Sequence, residues 1–252
     1  MRILRRRRRT TSAPPEVGGA TDAGRRDENQ DRWAAGPGWA AVCDGVGGHA
    51  GGAAAAATAL DAVRAVLTAT DLDRLDEAGA RAVLTEAASV ANAAVLTGRA
   101  QAPGQADMAT TLTAAVALAD RRRWVVVQVG DSPAWSVGPE TARSITWDHN
   151  LVGDLVRTGV LRPEEAAGHR GRHVITRAIG IAPAVDPELF TVAVAPGEAL
   201  VLASDGLSDV AEPAAAVPVV AGAADARSAA EDLVALALAR GTADNVTVVV
   251  VR

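Results

Sequence analysis

The sequence predicts an α+β fold, with helices layered on antiparallel sheet. Three observations carry that expectation. Apolar, strand-like runs follow one another in hairpins, with no helix between the members of a pair. Two long segments rich in Ala, Leu and Val have helical spacing and need a sheet face to cover. Acidic residues recur where the apolar runs end, most often beside glycine.

The chain opens on five consecutive arginines, Arg5 to Arg9, followed by Thr, Ser and Pro. Like charges at that density repel, so composition reads residues 1 to about 24 as a solvated tail. Contact with nucleic acid or anionic lipid is the alternative use of such a run. Residues 25–31, RRDENQD, read as a polar loop ahead of Trp33.

Residues 41–52, AVCDGVGGHAGG, organise the rest. A small-residue apolar strand ends at Asp44, and Gly45, Gly47 and Gly48 form a tight turn into a helix. A carboxylate at a strand end beside glycines suits a metal ligand. The plain alternative is a strand–turn–helix joint with a surface acid.

Residues 51–70 and 76–99 form the two helices, the second ended by Gly98 and the Pro103–Gly104 pair. Residues 110–119 and 124–129 make a hairpin across residues 120–123. A shorter hairpin joins residues 134–137 to 143–147 around Gly138 and Pro139. Residues 148–173 are polar, with short helical pieces near 151–157 and 163–167. They hold His149, His169 and His173, whose spacing matches no zinc pattern, so a mobile insertion beside a site is the better reading. Residues 199–203 form a buried strand, 228–239 an amphipathic helix closed by Gly241, and 246–251 a strand of Val and Thr.

Composition bounds the function. At 252 residues the chain is one large domain or two small ones, and 49% hydrophobic content supports a full core. Aromatics are 2%, so that core is Ala, Val and Leu. The only cysteine, Cys43, excludes an internal disulfide and a cysteine zinc cluster, and fits a reducing, cytoplasmic setting. No apolar stretch approaches the roughly 20 residues that cross a bilayer. The net charge is −5 despite the arginine run, so the body is acidic and unsuited to binding nucleic acid directly.

Asp44, Asp131, Asp205 and Asp244 each adjoin a strand terminus. One such placement is ordinary. Four, with no competing Cys or His set, point to carboxylates converging on hard cations such as Mg²⁺ or Mn²⁺.

The motifs RxxNQD (26–31), DGVGGH (44–49), ATTL (109–112), GDS (130–132), WDH (147–149), TRAIG (176–180), SDGLSD (204–209) and DNVTVVVV (244–251) occur in an order that resembles the metal-dependent serine/threonine protein phosphatases. This is the PPM, or type 2C, family, and the bacterial stand-alone members are the most similar. The resemblance spans residues 17–252 and leaves 1–16 as the tail.

The resemblance implies a four-layer α-β-β-α sandwich of two antiparallel sheets flanked by helices, with metals in a cleft at one end. Asp44 would bridge two ions, and the carbonyl of Gly45 would bind one of them. Asp205 and Asp244 would complete the first ion's shell, and Asp31 would support the second through water. Asp131, with Asp205, matches the place of a third, weaker ion. Arg26 matches the arginine that grips the substrate phosphate, and residues 148–172 match the flap beside the cleft. The implied activity is hydrolysis of phosphoserine and phosphothreonine in proteins by a hydroxide held between two Mg²⁺ or Mn²⁺ ions, opposing a bacterial serine/threonine kinase. A monomer is implied too. The other reading is a catalytically weak domain that binds or scaffolds phosphoproteins. A cysteine-based tyrosine phosphatase is disfavoured, because no CxxxxxR loop follows Cys43.

The chain departs from the pattern at four places. Val46 stands where eukaryotic relatives carry a histidine proposed to protonate the leaving alkoxide, and His49 is not equivalent to it. Pro133 replaces a frequent arginine, Ala109 the usual glycine, and Gln30 an acid. None is a metal ligand.

Overall fold

The computed structural model describes residues 15–46, 51–101, 108–166 and 168–252. The arginine run, Gly47, Gly48, His49 and the Pro103–Gly104 pair lie outside them.

In chain order the strands are β1 (Val17–Asp22), β2 (Arg32–Gly36), β3 (Trp39–Cys43), β4 (Gly45–Val46), β5 (Ala109–Thr110), β6 (Leu112–Ala117), β7 (Arg123–Val129), β8 (Ala134–Val137), β9 (Ala142–Ser144), β10 (Glu188–Ala193), β11 (Ala199–Ala203) and β12 (Val246–Val251). The helices are α1 (Gly51–Ala69), α2 (Glu77–Gln101), α3 (Leu151–Arg157), α4 (Pro163–Ala166), α5 (Asp205–Ser208), α6 (Ala216–Gly222) and α7 (Ala226–Ala239).

Two five-stranded sheets form, ordered β1-β12-β11-β8-β9 and β10-β7-β6-β3-β2. Every strand pairing is antiparallel. The sheets face each other, with helices on both outer sides, so the α-β-β-α sandwich stands.

Side-chain alternation along each strand explains the layering. On β3, Ala40 and Val42 enter the core between the sheets, while Trp39, Ala41 and Cys43 pack under α1 and α2. On β12, Val249 and Val251 face the other sheet, while Val246, Val248 and Val250 meet α7. Both faces of these strands are buried, so their sequences read as apolar runs rather than alternating ones. Cys43 is fully buried, and burial pushes its thiol up.

Three expectations need correction. Composition carried the tail to about residue 24, but Val17–Asp22 is an edge strand paired along the whole of β12. Its polar sequence, VGGATD, gives no local strand signal; the ladder to β12 makes it one. Gly98 does not end the second helix, which runs on to Gln101. No apolar stretch of membrane-spanning length was expected, yet α1 is 19 residues and passes that test by length and composition. Its Ala55, Ala56, Ala59, Val63 and Leu67 are buried in the core shared with α2 and the sheet. The strand β10 and the helices α5 and α6 carried no expectation at all.

Candidate active site

Antiparallel pairing brings the acid-bearing joints to one end of the sandwich. Asp44 follows the last residue of β3, and Thr111, which leads into β6, donates its amide to the Asp44 carbonyl at 2.8 Å. Leu112 pairs with Val129, so Gly130 and Asp131 emerge beside Thr111. In the other sheet β11 ends and β12 begins side by side, and the Ser204 amide donates to the Thr247 carbonyl at 3.0 Å. Asp205 and Asp244 therefore leave the sheet together. An open cleft of about 730 Å³ collects Arg26, Asp44, Gly45, Asp131, Asp205 and Asp244.

Asp31 sits apart from that lining. It is 2% exposed, and its Oδ2 accepts from the Ser204 hydroxyl at 2.7 Å. The same hydroxyl oxygen accepts from the Thr247 amide at 2.9 Å, which pins Asp31 to both β11 and β12. Asp31 and Asp44 are also close neighbours, and each carboxylate feels the other.

The backbone around Asp44 is tightly constrained. A Cβ on Gly45 would lie 2.4 Å from the Gly52 carbonyl oxygen and 3.0 Å from that of Gln30. Only glycine lets these chains approach. The Asp44 amide donates to Thr111 Oγ1 at 2.9 Å, and its carbonyl accepts from Thr110 Oγ1 at 2.7 Å.

Asp244 accepts from the Asn245 amide at 2.8 Å and from the Arg26 guanidinium at 2.7 Å. Asn245 ties the loop down. Its Oδ1 accepts the Gln30 amide at 2.8 Å, and its Nδ2 donates to the carbonyls of Ala23 and Glu28, both at 2.9 Å.

The electrostatics are those of crowded, desolvated acids. Burial, then the charges of Asp31, Asp205, Asp131 and Asp244, holds Asp44 far above the usual carboxylate range. Burial, then Asp131 and Asp209, does the same to Asp205. Burial pushes Asp131 up to about 7, with Asp148 adding to it, and Asp148 up to about 6, with Asp209 adding. Asp31 is raised, chiefly by burial. Such a set is costly unless a cation neutralises it.

Two carboxylate oxygens carry the test of that reading. Asp31 Oδ1 and Asp205 Oδ1 are buried and have no hydrogen-bond partner among the described residues. A buried carboxylate oxygen without a donor calls for a partner, and in a cluster of acids a cation satisfies several at once. Oxygen donors from carboxylates and a main-chain carbonyl suit Mg²⁺ or Mn²⁺. The residues present fit the group.

Several lining residues had been given no role of their own in the site. Asp209 lies one helical turn beyond Asp205, its amide donating to the Asp205 carbonyl at 2.8 Å. That i,i+4 spacing was readable in SDGLSD. Arg172 and His173, at the end of the flap, reach Asp209 at 3.4 Å and 3.8 Å. Ligand atoms of His173, Asp205 and Asp209 all lie within 4.8 Å of one another. No local signal links residue 173 to residue 209; only the folded flap does.

Comparison with known proteins agrees. The family model described as protein phosphatase 2C matches residues 19–239. The chain belongs to the protein phosphatase 2C family. As a member it is a metal-dependent serine/threonine protein phosphatase. It is 30% identical over 218 residues to the serine/threonine phosphatase stp of Listeria innocua, covering 83% of this chain and 82% of that one. It superposes on the PPM Ser-Thr phosphatase MsPP from Mycobacterium smegmatis, solved with cacodylate, with a TM-score of 0.81 and 36% identity over 95% of this chain and 99% of that one. It superposes with a TM-score of 0.80 and 32% identity on the catalytic domain of the serine/threonine protein phosphatase PstP, solved with two manganese ions, covering 94% and 97% of the two chains.

Proposed function

We propose that this cleft removes phosphate from phosphoserine and phosphothreonine in proteins, with Mg²⁺ or Mn²⁺ as cofactor. Asp44 and the Gly45 carbonyl, with Asp205 and Asp244, are the ligands we assign to the principal ions. Asp31 serves through water, and Asp131 with Asp205 takes a further, weaker ion. The supporting observation is the convergence of these acids on one cleft, with buried Oδ1 atoms on Asp31 and Asp205 that lack donors.

When bound, such ions activate a water and neutralise charge on the transferring phosphoryl group. The chain's own residues do the rest. Arg26, half exposed at the cleft mouth, binds the substrate phosphate and gives up its pairing with Asp244 to do so. Gly45 lines the cleft, and the lack of a Cβ there lets its backbone pack against Gly52. Val46, beside Gly45 in the cleft wall, offers no proton to the leaving oxygen.

The substrates we assign are phosphoproteins, those of a serine/threonine kinase, met in the cytoplasm by a monomer. The buried free thiol of Cys43 supports a reducing setting. Retention of Asp44, Asp205 and Asp244 together stands against a scaffold without turnover.

The test is hydrolysis of a phosphothreonine peptide in Mn²⁺, in Mg²⁺ and after exhaustive chelation. Turnover that depends on the cation is expected. Turnover that survives chelation would overturn the metal assignment.

A further inference from the structure

Outside the carboxylate set, one buried histidine remains unexplained. His149 is completely buried, at the base of the flap. Its Nδ1 accepts from the Gly130 amide at 3.2 Å, and its own amide donates to the Gly130 carbonyl at 3.0 Å. Gly130 is thus held on both polar faces by one residue. It is also held sterically: its φ is +109°, and an added Cβ would lie 2.6 Å from the Thr111 side chain. The residue so fixed is the one before Asp131.

The next flap residue reaches the acid itself. Asn150 is buried, and its side chain sits close enough to Asp131 to favour that carboxylate's charged form. It also caps α3, its Oδ1 accepting from the Gly153 amide at 2.8 Å. The flap therefore begins by gripping Gly130, with its next residue beside Asp131.

The far side of the His149 ring leads to a latch. With Nδ1 accepting, a neutral ring carries its proton on Nε2. Nε2 lies 3.6 Å from Glu188 Oε1 and has no hydrogen-bond partner among the described residues. That Glu188 oxygen also pairs with Arg157 of α3, and with Arg177, after the flap, at 3.2 Å. Glu188 opens the edge strand β10, so one carboxylate ties both sides of the flap to the sheet.

We infer that His149 is a positioning residue. It sets the Gly130–Asp131 backbone for the cation we assign to Asp131, and the Glu188 latch on Arg157 and Arg177 holds its ring in place. The inference rests on the assignment of Asp131 as a ligand. It goes further by coupling the docking of the flap to that ligand's position. Groups that orient a ligand from behind typically change metal affinity by roughly 10- to 100-fold when removed.

The experiment compares His149→Asn, His149→Gln, Glu188→Gln and Asp131→Asn in the full chain. Asn places its amide near Nδ1 and can still accept from Gly130. Gln reaches toward Nε2 and cannot. Three quantities are read: calorimetric Mn²⁺ binding at the weakest site, the Mn²⁺ midpoint of aryl phosphate hydrolysis, and amide exchange at residues 129–132.

Asp131→Asn should abolish the weak site. His149→Gln should weaken it by about tenfold or more and speed exchange at Gly130. His149→Asn should restore both toward wild type. Glu188→Gln should give an intermediate shift and guards against a His149 variant that does not fold. Wild-type weak-site binding in both His149→Gln and Glu188→Gln would overturn the inference while leaving Asp131 a ligand. A lower Tm in these variants with unchanged weak-site binding also overturns it, since that is a purely structural role. If Asp131→Asn leaves Mn²⁺ binding unchanged, the ligand assignment itself falls and the inference with it.

Discussion

Arg26 donates to Asp244 at 2.7 Å across the mouth of the cleft, joining the residue assigned to the substrate phosphate to one assigned to a metal. Their side chains are 54% and 37% exposed, so solvent screens the pair and it adds little to stability. Arg26→Ala is therefore expected to leave Tm nearly unchanged. A lost hydrogen bond between charged groups costs about 1.5–3 kcal/mol, or roughly 10- to 100-fold in kcat/KM. Kinetics on a phosphothreonine peptide beside a thermal melt will separate the two effects. A large Tm loss with normal kinetics would mean the pair is structural.

Removing the metal should destabilise the fold. Asp31, Asp44, Asp131, Asp205 and Asp244 repel one another when nothing neutralises them. Binding to the folded state alone adds about 2.7 kcal/mol at a hundredfold excess over Kd. Tm should rise with Mn²⁺ in the wild-type protein and rise less in Asp44→Ala, which should also lose nearly all hydrolysis. Equal Mn²⁺ shifts in the two proteins would remove Asp44 from the site.

The chelated protein should also lose stability as pH rises. Asp131 and Asp148 titrate near 7 and 6 when folded, against about 3.9 in an unfolded chain. The folded state then binds more protons than the unfolded state across that interval. The stability these two groups contribute is full below about pH 4 and is lost as pH climbs through about 7. Urea unfolding in chelator at pH 5.5 and pH 8 should show the fall. The fall should be smaller in Asp131→Asn; an identical fall in both would exclude Asp131 as its source.

Val46 lines the cleft beside Gly45, and its partner across the short β4–β5 ladder is Ala109. Neither side chain can protonate a leaving alkoxide. General acid catalysis contributes about 10²–10⁴-fold and matters most for poor leaving groups. The chemical step should therefore depend steeply on leaving-group pKa across a series of aryl phosphates. Val46→His should flatten the slope if the new imidazole reaches the leaving oxygen. A flat wild-type slope, with chemistry shown to be rate-limiting, would reveal another acid.

Truncations should separate the arginine run from the fold. Deleting residues 1–14 should leave hydrolysis of a small aryl phosphate within about twofold, as surface changes far from a site rarely propagate. Deleting residues 1–22 removes β1 and its six pairings with β12, and should lower Tm markedly. A tenfold activity loss in the shorter deletion would show that residues 1–14 support the site.

The sites of chemistry were legible because they combine local signals. A small-residue strand, an acid and glycines at residues 40–48 specify a joint whatever surrounds it. The same holds for GDS at 130–132 and SDG at 204–206. The two long helices were legible from period and composition alone. Their packing partners were not, because a strand such as VTVVVV, buried on both faces, shows no period that marks which side meets a helix.

By itself, then, the sequence determined the α+β class, most of the regular elements and the acids that matter. Ordered motifs along the chain were enough to place it in its family. Only the tertiary structure decided that residues 17–22 are a strand, since long-range hydrogen bonds to β12 override a weak local preference. It also decided that Asp131 lies within the electrostatic reach of Asp148 and Asp209, that Arg172 and His173 turn back on Asp209, and that His149 clamps Gly130. These relationships join residues 17 to 78 positions apart in the chain. No local propensity encodes them; they appear when two antiparallel sheets stack and bring their strand ends to one edge.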